Sequence, residues 1–184
     1  RRAEQLQQIA NFGQLVQGTL NLPDILAALL GEIRQTITAD RVSVALLDDR
    51  TDQLRVVAQY DEDRTYIDVE NGPFISTSGT LIGQVWESGE MLVINDTQTS
   101  SGIRRAQDLS VRSLMIAPVR SRGRMIGAVN IGAVDAYAYA DEDKAIFRQM
   151  LTQLVASIEN SLAFAASQRI AKNEALINDI SIQM

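Results

Sequence analysis

The chain has 184 residues, 46% of them apolar and 22% charged, and a net charge of −6. That is enough chain for one globular domain with a full core, and the negative balance argues against a broad nucleic-acid surface. It contains neither cysteine nor histidine, which removes disulfides, thiol chemistry, and the commonest metal ligand and general base.

Arg1–Gly18 reads as a helix in which Leu6, Ile9, Gly13, Val16 and Leu20 recur at spacings of three and four. That is a heptad seam, the pattern that pairs helices. Pro23 and Asp24 open a second helix, Pro23–Ile37, with Ile25, Leu26, Leu29, Leu30, Ile33 and Ile37 as its apolar stripe; proline and an acid both suit a first turn. Val42–Leu47 and Leu54–Tyr60 are apolar runs joined by the polar turn Asp48–Asp52, a hairpin signal. Asp61–Pro73 reads as acidic and irregular. Thr80–Ser88 reads as a short helix ended by Gly89, and Met91–Ile94 as a short strand. After a polar loop, Ser113–Gly132 is a second hairpin turning at Arg120–Arg124. The chain closes with one long helix over Asp141–Ile182, which has three acids in its first turn and no Gly or Pro. At 1.5 Å per residue it runs roughly 60 Å. A compact chain of this length is only about 40 Å across, so the helix is expected to overshoot its globule and to need a partner. Leu151, Leu154, Ile158 and Leu162 form its apolar seam.

Antiparallel hairpins bracketed by terminal helices predict an α+β domain. No run of about 18 apolar residues exists to span a membrane. Arg1-Arg2-Ala3-Glu4 does not lead into a signal-peptide core, and the absence of an initial methionine reads as a segment cut from a longer, cytoplasmic protein.

Five side chains are candidates to meet a ligand. Tyr60 ends a strand and faces either way. Trp86, the only tryptophan, packs the short helix on the sheet or stacks on a ligand. Asp96, just before Thr97, is a turn or cap aspartate or a pocket acceptor. Ser113 opens a central strand, where its hydroxyl caps a loop or meets a ligand. Leu114, Ile116 and Val129 read first as core, with one face of their hairpin as a pocket floor in the functional reading. Arg120, Arg122 and Arg124 read as a solvated turn, and Ser78–Gly83 (SGTLIG) lacks the lysine of a phosphate-binding loop.

Taken in order, four segments resemble the GAF domain, a small-molecule-sensing module of signalling proteins. "TADRVSVALLDDR" is similar to its first strand, "TSGTLIGQVWESGEMLVINDTQT" to its glycine-flanked helix and following strand, "SVRSLMIAPVRSRGRMIGAVNIG" to its central hairpin, and "YADEDKAIFRQMLTQLVASIENSL" to its closing helix. The resemblance covers roughly Leu22–Phe164. It implies an antiparallel sheet with terminal helices packed on one face, and loops, short helices and a ligand cavity on the other. It also makes absences informative. Without cysteine or histidine, thioether attachment of a bilin and histidine-ligated haem are excluded, so no cofactor is expected, and the methionine-sulfoxide reductase branch is excluded too. Of the Asn-Lys…Phe-x-x-x-Asp-Glu pattern of cyclic-nucleotide-binding members, Asn130 and Asp143 are present, while Ile131, Tyr139 and Lys144 replace the rest.

The resulting expectation is a helix at 1–21, a sensor domain at 22–164 and a signalling helix at 165–184. The chain would act as a homodimer that takes a small molecule and passes a signal to an output domain such as a kinase or cyclase. The alternative is a dimerisation module without a ligand. No catalysis, nucleic acid or membrane is expected, since an enzyme would have to rely on carboxylates or on Lys144 and Lys172, both on the closing helix.

Overall fold

The computed structural model describes residues 21–48, 50–61, 64–99 and 110–182, with side chains beyond Ser161 described only at Ala163, Phe164, Ser167 and Ile170. The expected first helix with Leu6, Ile9, Val16 and Leu20, and the side chain of Leu162, lie outside the described residues.

Helix α1, Leu22–Thr36, carries Pro23 and Asp24 in its first turn and buries Ile25, Leu26, Leu29, Leu30 and Ile33, the one-sided stripe its periodicity predicts. Strands β1 (Arg41–Asp48) and β2 (Gln53–Asp61) form the first hairpin. β3 (Arg64–Ile67) and the two-residue β4 (Phe74–Ile75) both pair with β2; β3 lies within the stretch Asp61–Pro73 that reads as irregular, and β4 directly follows it. Helix α2 spans Leu81–Ser88. Thr80 caps it, its Oγ1 accepting from the Gly83 N–H at 3.1 Å, and the left-handed Gly89 ends it. β5 (Leu92–Ile94), β6 (Ser113–Ser121) and β7 (Arg124–Ala133) follow. Arg122 and Gly123, at φ 49° and 82°, make the β6–β7 turn, where two positive φ values match the twist of the flanking strands. Helix α3 runs over Asp141–Ile182, and Asp143 Oδ2 accepts from the Ala140 N–H at 2.8 Å to secure its start.

The strands form one antiparallel sheet in the order β3-β2-β1-β7-β6-β5, with β4 beside β2. Alternation along each strand gives the sheet two working faces. Val42, Val44, Met115, Ala117, Val129 and Ile131 turn to one face, in a core shared with Leu26 and Ile33 of α1 and Phe147, Met150 and Leu154 of α3. Ala45, Leu54, Leu114, Ile116 and Ala128 turn to the other, under Ile82 and Val85 of α2. This is the α+β arrangement that the order of elements predicts.

The hydrophobic seam of α3 is spent differently from expectation. Leu151, Leu154 and Ile158 are 5, 0 and 3% exposed, packed inside the core of their own chain. A residue with no surface left has none to offer a second copy. The surfaces of α3 open to pairing are therefore others, and they include Phe164 and Ile170, 42 and 60% exposed.

Candidate ligand cavity

The α2 side of the sheet carries a half-open cavity of about 350 Å³. Its floor is laid down rung by rung. Gln59 of β2, Ser43 of β1, Asn130 of β7 and Ile116 of β6 are successive cross-strand partners, so their side chains stand side by side on one face. The next rung is Asp61, Arg41, Gly132 and Leu114. Gly132 keeps the floor low, since a Cβ there would lie 2.9 Å from the Val111 side chain. Ile75, Ser76, Thr80, Leu81, Ile82 and Val111 line its sides. The α2 end of it is fixed by close contact: a Cβ on Gly83 would sit 1.7 Å from the Thr77 carbonyl oxygen.

Gln59 reaches this cavity because of a β-bulge. The register of β1 on β2 shifts between Val44 and Ala45, leaving Val57 without a partner. One extra residue reverses the alternation beyond it. Leu54 and Val56 lie on the α2 side, Ala58 and Tyr60 on the α1/α3 side, and Gln59 returns to the cavity.

The polar floor is incompletely paired. Asn130 Nδ2 donates to Ser43 Oγ at 3.1 Å, while Asn130 Oδ1 is sealed from solvent with no hydrogen-bond partner. Leaving such an acceptor unpaired costs on the order of 1–3 kcal/mol. On the charged rung Arg41, which lines the cavity, donates Nε at 2.9 Å and Nη2 to one oxygen of Asp61, Oδ2.

A family model described as the GAF domain matches residues 19–159. The chain belongs to the GAF family. A search of curated proteins by sequence returns no match. Among solved structures, the GAF domain of an Acinetobacter phosphoenolpyruvate-protein phosphotransferase is similar at a TM-score of 0.74 and 18% identity, covering 87% of this chain and 95% of that one. The free methionine-R-sulfoxide reductase of Neisseria meningitidis, solved with its substrate, gives 0.70 and 19%, covering 88% and 92%. The GAF domain of a two-component sensor histidine kinase from Bacillus halodurans gives 0.64 and 21%, covering 80% and 99%. At these identities the likeness establishes the fold.

Within this GAF domain, three of the five expected ligand residues meet in one knot behind Val111, and none of the three lines the cavity. Asp96 pairs with Arg112, Oδ2 to Nη2 at 2.6 Å, and that guanidinium, helped by the Gln98 N–H, holds its carboxyl below the usual range. Thr97 donates its N–H to the Arg112 carbonyl at 2.8 Å and its hydroxyl to that of Val111 at 3.0 Å. The Ser113 hydroxyl lies 2.6 Å from the Asp135 carbonyl and 3.1 Å from that of Asn95, and accepts from the Ala138 N–H. The knot ties the end of β5 to the start of β6 and to the β7–α3 loop. Tyr60 is turned to the α1 side, its ring 3.8 Å from the Arg34 guanidinium carbon. Trp86 lines a second hollow of about 370 Å³ with Leu47, Leu54 and Phe74, which shares the Ile75–Ser76 wall with the cavity. Sequence reading did not single out Gln59 or Ser43. Asn130 stood out only through the resemblance.

Among the described residues, no group of three or more carboxylates is placed to hold a metal ion, and no helix is long and apolar enough to cross a membrane.

Proposed function

We propose that this GAF domain is the sensory unit of a cytoplasmic signalling protein: the cavity over Ser43 and Asn130 takes a small molecule, and occupancy is passed through the sheet to α3 and on to an output domain. The observation that carries the reading is the half-open cavity floored by the polar side chains of Gln59, Ser43 and Asn130. Its volume lies at the lower end of the small-molecule range. Its strands supply cavity side chains on one face and, one residue away, core contacts with α3 on the other. The turn of the β6–β7 hairpin also touches α3 directly, Ser121 Oγ donating to Glu159. A ligand that favours one strand position over another would thus bias the helix. The domain performs no reaction in this reading and carries no cofactor. The partner of α3 is a second copy of the chain, which would cover Phe164 and Ile170.

A fragment screen read by amide NMR tests the cavity. Binders are expected to shift Ser43, Leu114, Ile116 and Asn130, and the cavity-filling Ser43→Leu is expected to abolish those shifts while the protein stays folded. A screen whose binders all map elsewhere rejects the reading.

A further inference from the structure

Among the described residues, a cation lines the cavity and no acid does. Arg41 is the one lining side chain with a formal charge, and Asp61, its cross-strand partner, stands outside the lining. Asp61 takes Nε and Nη2 of the guanidinium on a single oxygen. A guanidinium has five N–H donors, so Nη1 and the second hydrogen of Nη2 are left without a partner among the described residues. The ion pair fixes the orientation of Arg41 without using it up, and the side chain keeps 37% of its surface open.

The neighbours of Arg41 add donors and no competing acid. Gly132, opposite it on β7, has no side chain to pair with it. Ser43, two residues along β1, stands on the same face. Its hydroxyl accepts from Asn130 Nδ2 at 3.1 Å and keeps its own proton to donate. Gln59, the partner of Ser43 on β2, lies diagonal to Arg41, a spacing of about 7–8 Å that long side chains bridge. The start of α2 has the same sign. Thr80, Leu81 and Ile82 line the cavity. The Thr80 hydroxyl and carbonyl take up the N–H groups of Gly83 and Gln84, which leaves those of Leu81 and Ile82 without a partner inside the helix, at its positive end.

We propose that the cavity takes a small organic anion, a carboxylate on an apolar body. The carboxylate meets the unspent edge of Arg41 and the Ser43 hydroxyl, while Asp61 holds the guanidinium in place. Val56, Ile75, Leu114 and Ile116 receive the body, and a space of about 350 Å³ suits a short chain or a single ring. A hydrogen bond between guanidinium and carboxylate is roughly twice as strong as one between neutral groups, so a carboxamide of the same shape binds more weakly. An ammonium meets a like charge in Arg41. Inorganic phosphate satisfies the cation and leaves the apolar walls without a partner.

The inference rests on the proposed ligand cavity, and a set of probes separates the two. Benzoate, benzamide, benzylamine and inorganic phosphate are each titrated into the full chain at neutral pH, to about 10 mM, while the backbone amides and the Arg41 Nε–H are followed by NMR. Benzoate is expected to shift Ser43, Leu114, Asn130 and the Arg41 Nε–H, and to bind about ten-fold or more tightly than the other three. Arg41→Gln is expected to bring benzoate down to the level of benzamide. Should that variant fold poorly by thermal denaturation, Asp61→Asn carries the test. Removing the competing charge should tighten benzoate several-fold and leave benzamide unchanged, and a benzoate affinity that is unaltered or weaker contradicts the role of Arg41. Benzamide, benzylamine or phosphate binding at these positions as well as benzoate overturns the ligand class and leaves the cavity a binding site. Benzoate silent where screened fragments bind does the same. No shift at any cavity residue with any probe or fragment overturns both.

Discussion

Asp48 and Arg55 lock the first hairpin to the segment that follows it. Arg55 gives Nε and Nη2 to Asp48 Oδ2 at 3.1 and 2.7 Å and Nη1 to the Gly72 carbonyl at 2.8 Å, and lies 4.0 Å over the Phe74 ring. The guanidinium first, then the Arg50 N–H, hold the Asp48 carboxyl below its usual range, as Arg112 does for Asp96. A carboxylate whose folded pKa lies below its unfolded value of about 3.9 contributes stability that is complete above that value and is lost as pH falls through the folded one. The midpoint of thermal unfolding should therefore hold from neutrality down to about pH 4 and drop below it. The drop should be shallower in the Asp48→Asn/Asp96→Asn double variant, with Asp68 and Asp141, also lowered, keeping part of the slope. A double variant with an unchanged acid slope would contradict these pairings. The same scale explains why the cavity was hard to read from sequence. Gln59 points inward only because Val57 bulges out of register, and nothing in "LRVVAQY" marks a bulge. Tyr60 faces α1 for the same reason. Asp96, Thr97 and Ser113 stand at strand ends where binding residues often lie, yet their groups are taken up by backbone and by Arg112.

At the scale of elements, periodicity located α1, α2, α3 and both hairpins to within a residue or two, because each buries one stripe or face that repeats in the sequence. It missed β3 and β4. Arg64, Thr65 and Tyr66 at the sheet edge are all exposed, so no alternation is written there, and β4 has two residues. The terminal helix shows the opposite problem, since one continuous apolar seam serves two environments. Up to Ile158 it faces its own core; beyond Ser161 it carries exposed Phe164 and Ile170. Ile158→Asp should fail to fold, because an unpaired charge in the core costs several kcal/mol of a total stability of about 5–15 kcal/mol. Ile170→Glu should keep the thermal midpoint and shift the sedimentation of micromolar protein from dimer toward monomer. An Ile158→Asp protein with native stability would contradict the core placement, and an Ile170→Glu protein that stays dimeric would contradict pairing through this part of α3.

For the whole molecule, the decisive feature is a single sheet that is a cavity floor on one side and a helix bed on the other. Leu114 and Ile116 line the cavity; Met115, between them, is fully buried in the α1/α3 core with Met150 of α3. Neither methionine lines the cavity, and each carries one terminal methyl group. Recording the methionine methyl NMR spectrum while a screened fragment fills the cavity tests the relay most directly. Met115 and Met150 should both shift in step with the cavity resonances of Ser43 and Asn130. Saturation of the cavity with both methionine methyls unmoved would contradict passage of the signal from the ligand floor to the helix.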